Sequence, residues 1–409
     1  MNNATGQIDL GKLLANKSIT TWFQPIVSVK QHSIVGYEAL SRGIQPCTKE
    51  LIAPNTLFSL AAATNQLVEL DRICREKALE NYKPLSTLNE RKLLFINFDT
   101  AIIDEGVVGS GNLNNCVQRL EYKPSSIVIE IIESKVCDIG ALKSFVARHK
   151  ELGFLIALDD LGNGHSNLDR IFHVRPDIIK IDRWLISGLD TDYYKQELFK
   201  ALVYMAKKTG SLVIAEGVET EAEALASLEF GADLLQGYYF SRPQPLEVIC
   251  PLCFNNKLDH ISSSFRNSKL RKITNDCCKK NDYHILLRDV LEQLSTTSPD
   301  YFEVTLQQAI LNNPLIQYLY ILNIDGTQIT DSIGVPGSAG GQISAIFQAD
   351  RKGTDQSLKE YCMFIQAGLE TYMTEPYISL ANGNPCITYS ITFRDNTNKQ
   401  HILCADFIP

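Results

Sequence analysis

Eight short apolar runs alternate with longer stretches of helical periodicity, and this alternation constrains the fold more than any other feature of the sequence. The runs are TWFQPIVSV, IVGYEAL, LLFINF, SIVIEII, FLIALDD, DIIKI, LVIAEGV and LLQGYYF, which together extend from Thr21 to Phe240. Strands that alternate with helices indicate an α/β fold, and eight repeats in about 220 residues predict a closed (β/α)8 barrel. A doubly wound open sheet is the alternative, although no G-x-G-x-x-G follows an early strand.

The pattern changes after SRPQP, and we divide the chain into three regions. The barrel domain is expected over residues 1–254, a connector that is at least partly helical over 255–282, and a smaller α+β domain over 283–409. The connector carries seven Lys and Arg against three Asp, which we interpret as a solvated face. In the last region, IQYLYILNIDGTQITDSI predicts two strands joined at Asp325-Gly326, and YISLANGNPCITYSITF and QHILCADF predict further antiparallel strands.

Composition narrows the classes of function. The formal charge of -8 argues against generic nucleic-acid binding, which requires a basic surface. No apolar run is long enough to span a membrane, and the N-terminus lacks the pattern of a secretory signal. Eleven scattered cysteines are typical of free thiols in a reducing compartment. We therefore expect a cytoplasmic protein.

Polar side chains stand at the predicted C-terminal ends of seven of the eight strands. Because chemistry in a barrel of this kind occurs at that end, these side chains are expected to converge on one mouth. In strand order they are Glu38 at the end of the second strand, Asn97, Glu130, the pair Asp159-Asp160, Lys180, Glu216 and Gln236. Carboxylate and amide oxygens suit hard cations such as Mg²⁺ or Mn²⁺.

The spacing of residues along the predicted strands gives further expectations for this mouth. Asp159 and Asp160 can serve two ions only if the strand ends there, since neighbouring side chains otherwise point to opposite faces, and Gly162 would supply that break. Lys180 and Asp182 are two apart and would share a strand face. Glu133 would not share the face of Glu130, so it would lie beyond the strand and brace the glycine-containing loop after Asp160.

The ordered motifs resemble those of the EAL-domain cyclic di-GMP phosphodiesterase family. They are Q-P-I-V, E-A-L-S-R, I-N-F, I-E-I-I-E-S, A-L-D-D-L-G-N-G-H-S-N-L, I-K-I-D, A-E-G-V-E-T and Q-G-Y-Y-F-S-R-P, in this order from Gln24 to Pro243. The family usually has D-D-F-G-T-G-Y-S-S-L after the paired aspartates. Here Leu161, Asn163, His165 and Asn167 differ, which bears on the motion of the loop rather than on the metal ligands.

The resemblance implies a two-metal phosphodiesterase that converts cyclic di-GMP to linear pGpG, with Mg²⁺ or Mn²⁺ as cofactor, and a homodimer. It implies that Glu38, Asn97, Glu130 and Asp159 bind one metal ion, and that Asp159 and Asp160 bind the other. It implies catalytic roles for Lys180 and Glu216 beside Glu38. It places Gln24, Pro25, Arg42, Asp182, Gln236 and Glu219 at or next to bound substrate.

Three alternatives remain open at this stage. A catalytically silent receptor for cyclic di-GMP would bind the same ligand, although such receptors typically lose some of the metal ligands retained here. The last region resembles Cache/PAS-like sensory domains, which bind an unknown small ligand or only dimerise. Cys250 and Cys253 form a C-x-x-C motif near Cys277 and Cys278, for which a zinc or redox site is the alternative to buried thiols.

Overall fold

The computed structural model of the protein describes residues 8–46, 48–88, 92–99, 101–104, 111–132, 138–162, 168–249, 251–334 and 347–408. The chain divides into two compact units, Met1–Lys269 and Leu270–Pro409. Among the described residues, no helix is long and apolar enough to cross a membrane.

The first unit is built from strands that alternate with helices, as the sequence predicts. Its elements are α1 (Leu10–Ala15), β1 (Ile19–Ser28), β2 (Ser33–Ile44), β3 (Leu51–Ile52), α2 (Pro54–Ala63), α3 (Leu67–Leu88), β4 (Leu93–Phe98), α4 (Ala101–Asp104), α5 (Asn112–Arg119), β5 (Ile127–Ile132), α6 (Ile139–Glu151), β6 (Leu155–Leu161), α7 (Leu168–Val174), β7 (Ile178–Ile181), α8 (Arg183–Ile186), α9 (Tyr193–Thr209), β8 (Leu212–Ala215), α10 (Glu221–Glu229) and β9 (Leu234–Leu235).

Eight of these strands close into a barrel, which confirms the predicted fold class and excludes the open sheet. The order around the ring is β1-β9-β8-β7-β6-β5-β4-β2, and β2 pairs again with β1, while β3 extends the edge of β2. Strand β1 is antiparallel to both of its neighbours, whereas the other strands of the ring run parallel. The physical reason is the connection from Ser28 to Ser33, which is too short for the crossover that a parallel pair needs.

Apolar side chains fill both sides of the barrel wall. Inside the barrel, one layer consists of Ile26, Phe95, Val128, Ala157, Ile178, Ile214 and Leu234. The opposite faces of the same strands pack against the surrounding helices in a larger cluster that includes Leu94, Ile129 and Ile179. Strands buried on both faces read as continuous apolar runs rather than as alternating ones, which explains why these segments were recognisable in the sequence.

Helix α11 (Pro251–Thr296) begins in the first unit and ends in the second, so it runs through the region predicted as a connector. The second unit continues with α12 (Phe302–Asn312), β10 (Ile316–Asn323), β11 (Ile333–Gly334), α13 (Glu360–Gln366), β12 (Thr371–Met373), β13 (Tyr377–Ile378), β14 (Pro385–Arg394) and β15 (Gln400–Phe407). Its antiparallel sheet has the order β11-β10-β15-β14-β12, with β13 paired to β14. This smaller unit with a sheet agrees with the α+β architecture expected for the C-terminal region.

The two faces of this second sheet differ in chemistry. One face packs Leu403, Ala405 and Phe407 of β15 into an apolar cluster with α12 and the end of α11. The other face carries Ile402 and Cys404, which pack with Tyr320 and α13. On the same strand, Asp406 continues this second face because side chains alternate along a strand. A buried carboxylate therefore lies on this face, next to the buried hydroxyl groups of Thr388 and Ser390 on β14.

Candidate metal centre and active site

The polar residues of the barrel mouth stand two positions beyond the apolar layer inside the barrel. Phe95 is followed by Asn97, Val128 by Glu130 and Ala157 by Asp159 on their strands. Because side chains two apart share a strand face, the inward direction of the apolar residue fixes that of the polar one. The same spacing relates the remaining pairs, which are Ile178 and Lys180, Ile214 and Glu216, and Leu234 and Gln236. On the antiparallel strand β1 the spacing runs backwards, from Ile26 to Gln24.

Lys180 lies at the centre of the mouth and is only 1% exposed. Its Nζ is 2.5 Å from Glu130 Oε1 and 2.6 Å from Glu216 Oε1. It is also 3.3 Å from Asp159 Oδ1 and 3.8 Å from Glu38 Oε2. Burial alone would lower the pKa of Lys180, but attraction by these four carboxylates raises it well above its ordinary value, so the ammonium stays charged.

The acids of the mouth outnumber this one ammonium. Burial, followed by repulsion from Glu38 and Asp159, raises the pKa of Glu130 well above its usual range despite the attraction of Lys180. Burial and the neighbouring Asp159 raise the pKa of Asp160 to about 6. Five carboxylates and one lysine give a formal charge of -5 + 1 = -4 in their ionised forms. Two divalent cations would balance this charge.

Hydrogen bonds from amides fix the carboxylate of Glu38. Asn97 Nδ2 donates to Glu38 Oε1 at 3.1 Å, and Gln236 Nε2 donates to Glu38 Oε2 at 2.5 Å. Gln236 Nε2 also lies 3.2 Å from Gln24 Oε1, and Gln24 Nε2 donates to the carbonyl of Ser241 at 3.0 Å. Residues from β1, β2, β4 and the end of β9 are thus joined into one network around a single carboxylate.

A β-bulge directs Asp159 and Asp160 to the same site. Leu158 pairs with Ile179 and Leu161 pairs with Ile181, so two residues of β6 oppose one residue of β7. Asp160 has a positive φ of 59°, a conformation that aspartate adopts more readily than most residues. The strand ends at Leu161, directly before Gly162, where the sequence predicted the break, and the bulge within the strand reorients the side chain of Asp160.

The donor set fits hard divalent cations. Asp159, Asp160 and Glu216 each offer a carboxylate oxygen, and the three oxygens lie within 4.8 Å of one another. Among the described residues, Glu130 Oε2 and Gln236 Oε1 are buried and have no hydrogen-bond partner. Buried acceptors of this kind are stabilised by a cation or a hydrogen-bond donor, since an unpaired buried acceptor costs folding free energy.

Several sequence predictions need correction in detail. Glu38 does not end its strand, because β2 runs on to Ile44 through its pairing with β1 and β3. Asp182 does not share a strand face with Lys180, because β7 ends at Ile181. Asp182 instead caps the N-terminus of α8 and accepts a hydrogen bond from Trp184 N at 2.8 Å.

Three other predicted residues contact neighbouring elements, and the rest lie outside the described part of the chain. Arg42 stacks over the ring of Trp22 at 5.4 Å and donates to the carbonyl of Ser41. Pro25 pairs with Tyr37 between β1 and β2. Glu219 forms an ion pair with Arg183. Glu133 and the loop residues Asn163, His165 and Asn167 lie outside the described residues.

The sequence reading missed a buried ion pair beside the mouth. Arg75 pairs with Asp71 on α3, and Asp71 Oδ1 also accepts a hydrogen bond from Asp99 N just after β4. Both residues line a cavity of about 310 Å³ that also reaches Glu38 and Asn97. The i, i+4 spacing of the two residues in LDRICREK was the only available signal, and it is common on exposed helices.

The cysteine motif receives no support from the described residues. Cys250 lies outside them, as does the side chain of Cys253. Cys277 and Cys278 are exposed free thiols on α11. His260, the nearest histidine in sequence, contacts Glu221 at 3.0 Å. The zinc or redox site stays an untested alternative to free thiols.

Comparison with known proteins places the barrel in a family. The model of the EAL domain matches residues 8–243, which is more than half of the chain. The chain therefore belongs to the EAL domain family. Cyclic di-GMP phosphodiesterase NbdA of Pseudomonas aeruginosa is 28% identical over 250 residues, which cover 59% of this chain and 31% of NbdA.

Two solved structures are similar in fold. The YkuI protein of Bacillus subtilis, which has an EAL domain and was solved with its substrate c-di-GMP and calcium, matches with a TM-score of 0.81 and 20% identity, covering 98% of this chain and all of that one. The PaMucR phosphodiesterase in complex with c-di-GMP matches with a TM-score of 0.53 and 27% identity, covering 58% of this chain and 97% of that one. The chain spans between 30% and 44% of the length of the curated relatives it matches.

Proposed function

We propose that this protein hydrolyses cyclic di-GMP to linear pGpG with the aid of two divalent cations, Mg²⁺ or Mn²⁺. The observation that carries the proposal is the contact of Lys180 with four carboxylates from four different strands at the C-terminal mouth of an EAL barrel. Relatives and structural neighbours named as cyclic di-GMP phosphodiesterases, or solved with c-di-GMP, support the choice of substrate.

The metal ligands would come from four strands. We assign Glu38, Asn97, Glu130 and Asp159 to one ion, and Asp159 with Asp160 to the other. Two such ions supply Lewis-acid activation of water and neutralise the charge that develops on the phosphoryl oxygens. The bulge at Asp160 supports this assignment, because it lets adjacent aspartates reach one site.

The chain itself would orient the attacking water and accept its proton. Lys180 Nζ, held between Glu130 and Glu216, is positioned to donate a hydrogen bond to the attacking water or to a phosphoryl oxygen. Glu216 Oε1 would accept the proton that the water loses. We assign Arg42 to a phosphate, because its guanidinium offers two parallel donors.

The remaining assignments concern the substrate base and the edges of the mouth. Gln24 and Pro25 on β1 are proposed to contact guanine, and Gln236 would connect this strand to Glu38. Asp182, at the N-terminus of α8, and Glu219, in the loop before α10, would support the mouth. Glu133 keeps its proposed role in bracing the loop that follows Asp160.

Incubation of the purified full chain with cyclic di-GMP and Mg²⁺, followed by chromatography, tests the proposal. Formation of pGpG by the wild type and its loss in Glu38→Gln are expected, because the amide removes a metal-binding charge but preserves shape. Glu197→Gln, an exposed acid on α9, is the matched control and should retain activity. Binding of cyclic di-GMP without any pGpG at any protein concentration would instead identify a receptor.

Regulation and assembly form separate proposals. We infer that the second unit controls the first, since α11 begins in one unit and ends in the other.

The homodimer and the cytoplasmic location implied by the sequence stay predictions. Light scattering of the purified chain tests the first of these, and a monomer at all concentrations would contradict it.

A further inference from the structure

Asp406 is a buried carboxylate with little hydrogen bonding. It lies on β15, is 4% exposed, and accepts a hydrogen bond from Thr388 Oγ1 on β14 at 2.6 Å. Thr388 is the only described residue that hydrogen-bonds to it. An ionised carboxylate has about four acceptor positions, so most of the capacity of Asp406 is unused. Burying such a charge is costly unless a positive group or further donors meet it.

Aromatic side chains surround this carboxylate. Tyr318 stands directly opposite Asp406 on β10, where cross-strand side chains are close neighbours. Tyr320 follows on the same face and packs edge-on against Tyr361 of α13, with ring centroids 6.2 Å apart. Tyr377 of β13 lies on the other side, where its hydroxyl is 2.6 Å from Thr388 Oγ1.

A second carboxylate adds to the negative potential of this cluster. Asp350 repels Asp406 and is held by a hydrogen bond of 2.7 Å from Gln356 Nε2. Lys359 attracts Asp406 only from beyond ion-pair distance. Burial, together with Asp350, raises the pKa of Asp406 to about 6, so the carboxylate is still ionised at neutral pH. Tyr377 and Asp350 are partly exposed, so the cluster reaches the surface.

We propose that the second unit carries a binding site for a small organic ammonium ion, whose positive charge meets the Asp406 carboxylate among the tyrosines of β10, α13 and β13. A carboxylate supplies the charge-assisted hydrogen bond or ion pair, and phenol rings attract a cation through their faces. A hard metal ion would instead require several carboxylate or carbonyl oxygens at one point. The site is on the sheet face opposite the apolar cluster of α11 and α12.

Calorimetric titration of the full chain with propylammonium chloride and with choline chloride tests this site. Saturable binding of at least one cation at millimolar concentration is expected at about pH 7.5, where Asp406 is ionised. The neutral analogues of the probes, 1-propanol and 3,3-dimethylbutanol, should not bind, because they lack the charge. Failure of both cations to bind, or equal binding of the neutral analogues, would overturn the proposal.

Two variants locate the binding energy. Asp406→Asn keeps the shape of the side chain and should weaken cation binding by about tenfold or more. Asp289→Asn removes an exposed charge of the same unit and should leave binding unchanged. If Asp406→Asn does not fold, titration of the wild type at about pH 4.5 provides the same comparison, because protonation of Asp406 should abolish cation binding. Unchanged affinity in the folded variant, or in the wild type at that pH, would contradict the assignment of Asp406.

Discussion

The barrel mouth and the Asp406 cluster both contain buried carboxylates, but the negative charge is compensated differently in the two places. Both bury carboxylates on the face of a sheet, where an unpaired charge is costly. In the mouth, Lys180 contacts four carboxylates and amides hold Glu38. Asp406 accepts a hydrogen bond from one hydroxyl and forms no ion pair with any residue that the structure describes. The mouth therefore contains part of its own counter-charge, whereas the second site leaves that role to a group from outside.

Asp395 provides a third case within the second unit. Its Oδ1 accepts hydrogen bonds from Thr397 N, Thr397 Oγ1 and Lys399 N, and its Oδ2 lies 3.0 Å from His401 Nε2. Burial would raise the pKa of Asp395, but these donors outweigh burial and hold the pKa well below its usual range. The pKa values of two buried aspartates in one hairpin thus shift in opposite directions. The number of hydrogen-bond donors decides the direction of the shift.

Removal of Lys180 should have the largest effect. Lys180→Met is expected to lower turnover by about a thousandfold, because it removes a preorganised donor. It should also lower the free energy of unfolding by about 3 kcal/mol in metal-free buffer, since buried carboxylates lose their counter-charge. Steady-state assays and urea titration measure these changes. Lys200→Met, which removes an exposed partner of Glu197, is the control and should change stability by less than about 1 kcal/mol.

The raised pKa of Asp406 should make the free energy of unfolding depend on pH. A carboxyl whose folded pKa is raised from 3.8 to about 6 makes the folded state bind its proton more tightly. Its stabilising contribution is present below about pH 4 and is lost as the pH rises through 6, by about 3 kcal/mol in total. Asp406→Asn should remove this loss, so the variant should be more stable than the wild type at neutral pH and similar to it in acid.

Denaturant titrations over a pH series measure this effect. The unfolding of the second unit must be followed separately, because a chain of two units need not unfold in one step. Asp289→Asn, which alters an exposed charge, should retain the pH profile of the wild type. A wild-type profile without any decrease between about pH 4 and 6 would mean that Asp406 is not as isolated as its contacts indicate.

If divalent cations bind the folded mouth as proposed, they should stabilise the barrel. At a Mg²⁺ concentration about one hundred times the dissociation constant, the gain should be about 2.7 kcal/mol. The double variant Glu130→Gln, Asp159→Asn should lose this gain, whereas Glu197→Gln should keep it. Thermal unfolding with and without chelator is the measurement. An identical Mg²⁺ response in the double variant would contradict the assigned ligands.

Asp395 should show the smallest and opposite effect. Because its folded pKa is depressed, its contribution is present above the unfolded pKa and is lost as the pH falls. Asp395→Asn should therefore cost about 1–2 kcal/mol at neutral pH, and the difference should shrink in acid. A variant as stable as the wild type at neutral pH would show that the four donors contribute little.

Much of the barrel could be predicted because its strands are buried on both sides. Continuous apolar runs such as LLFINF and SIVIEII can be recognised in the sequence. The polar residue that follows the inward-facing apolar residues of each strand can be recognised with them. Glu130, Asp159 and Lys180 could be placed in one mouth from strand order alone, since parallel strands align their C-terminal ends. The direction of β1 was not predicted, although the short link between Ser28 and Ser33 contained the necessary information.

The sequence by itself determined the eight strands, the positions of the acids and the family. Only the tertiary structure decided that β6 bulges at Asp160, that Asp182 caps a helix, and that Asp71 and Arg75 pair beside the mouth. It also decided which aspartates of the second unit find donors and which do not. The reason is that residue order specifies which side chains share a strand face, whereas burial and hydrogen-bond partners depend on segments that are distant in the chain.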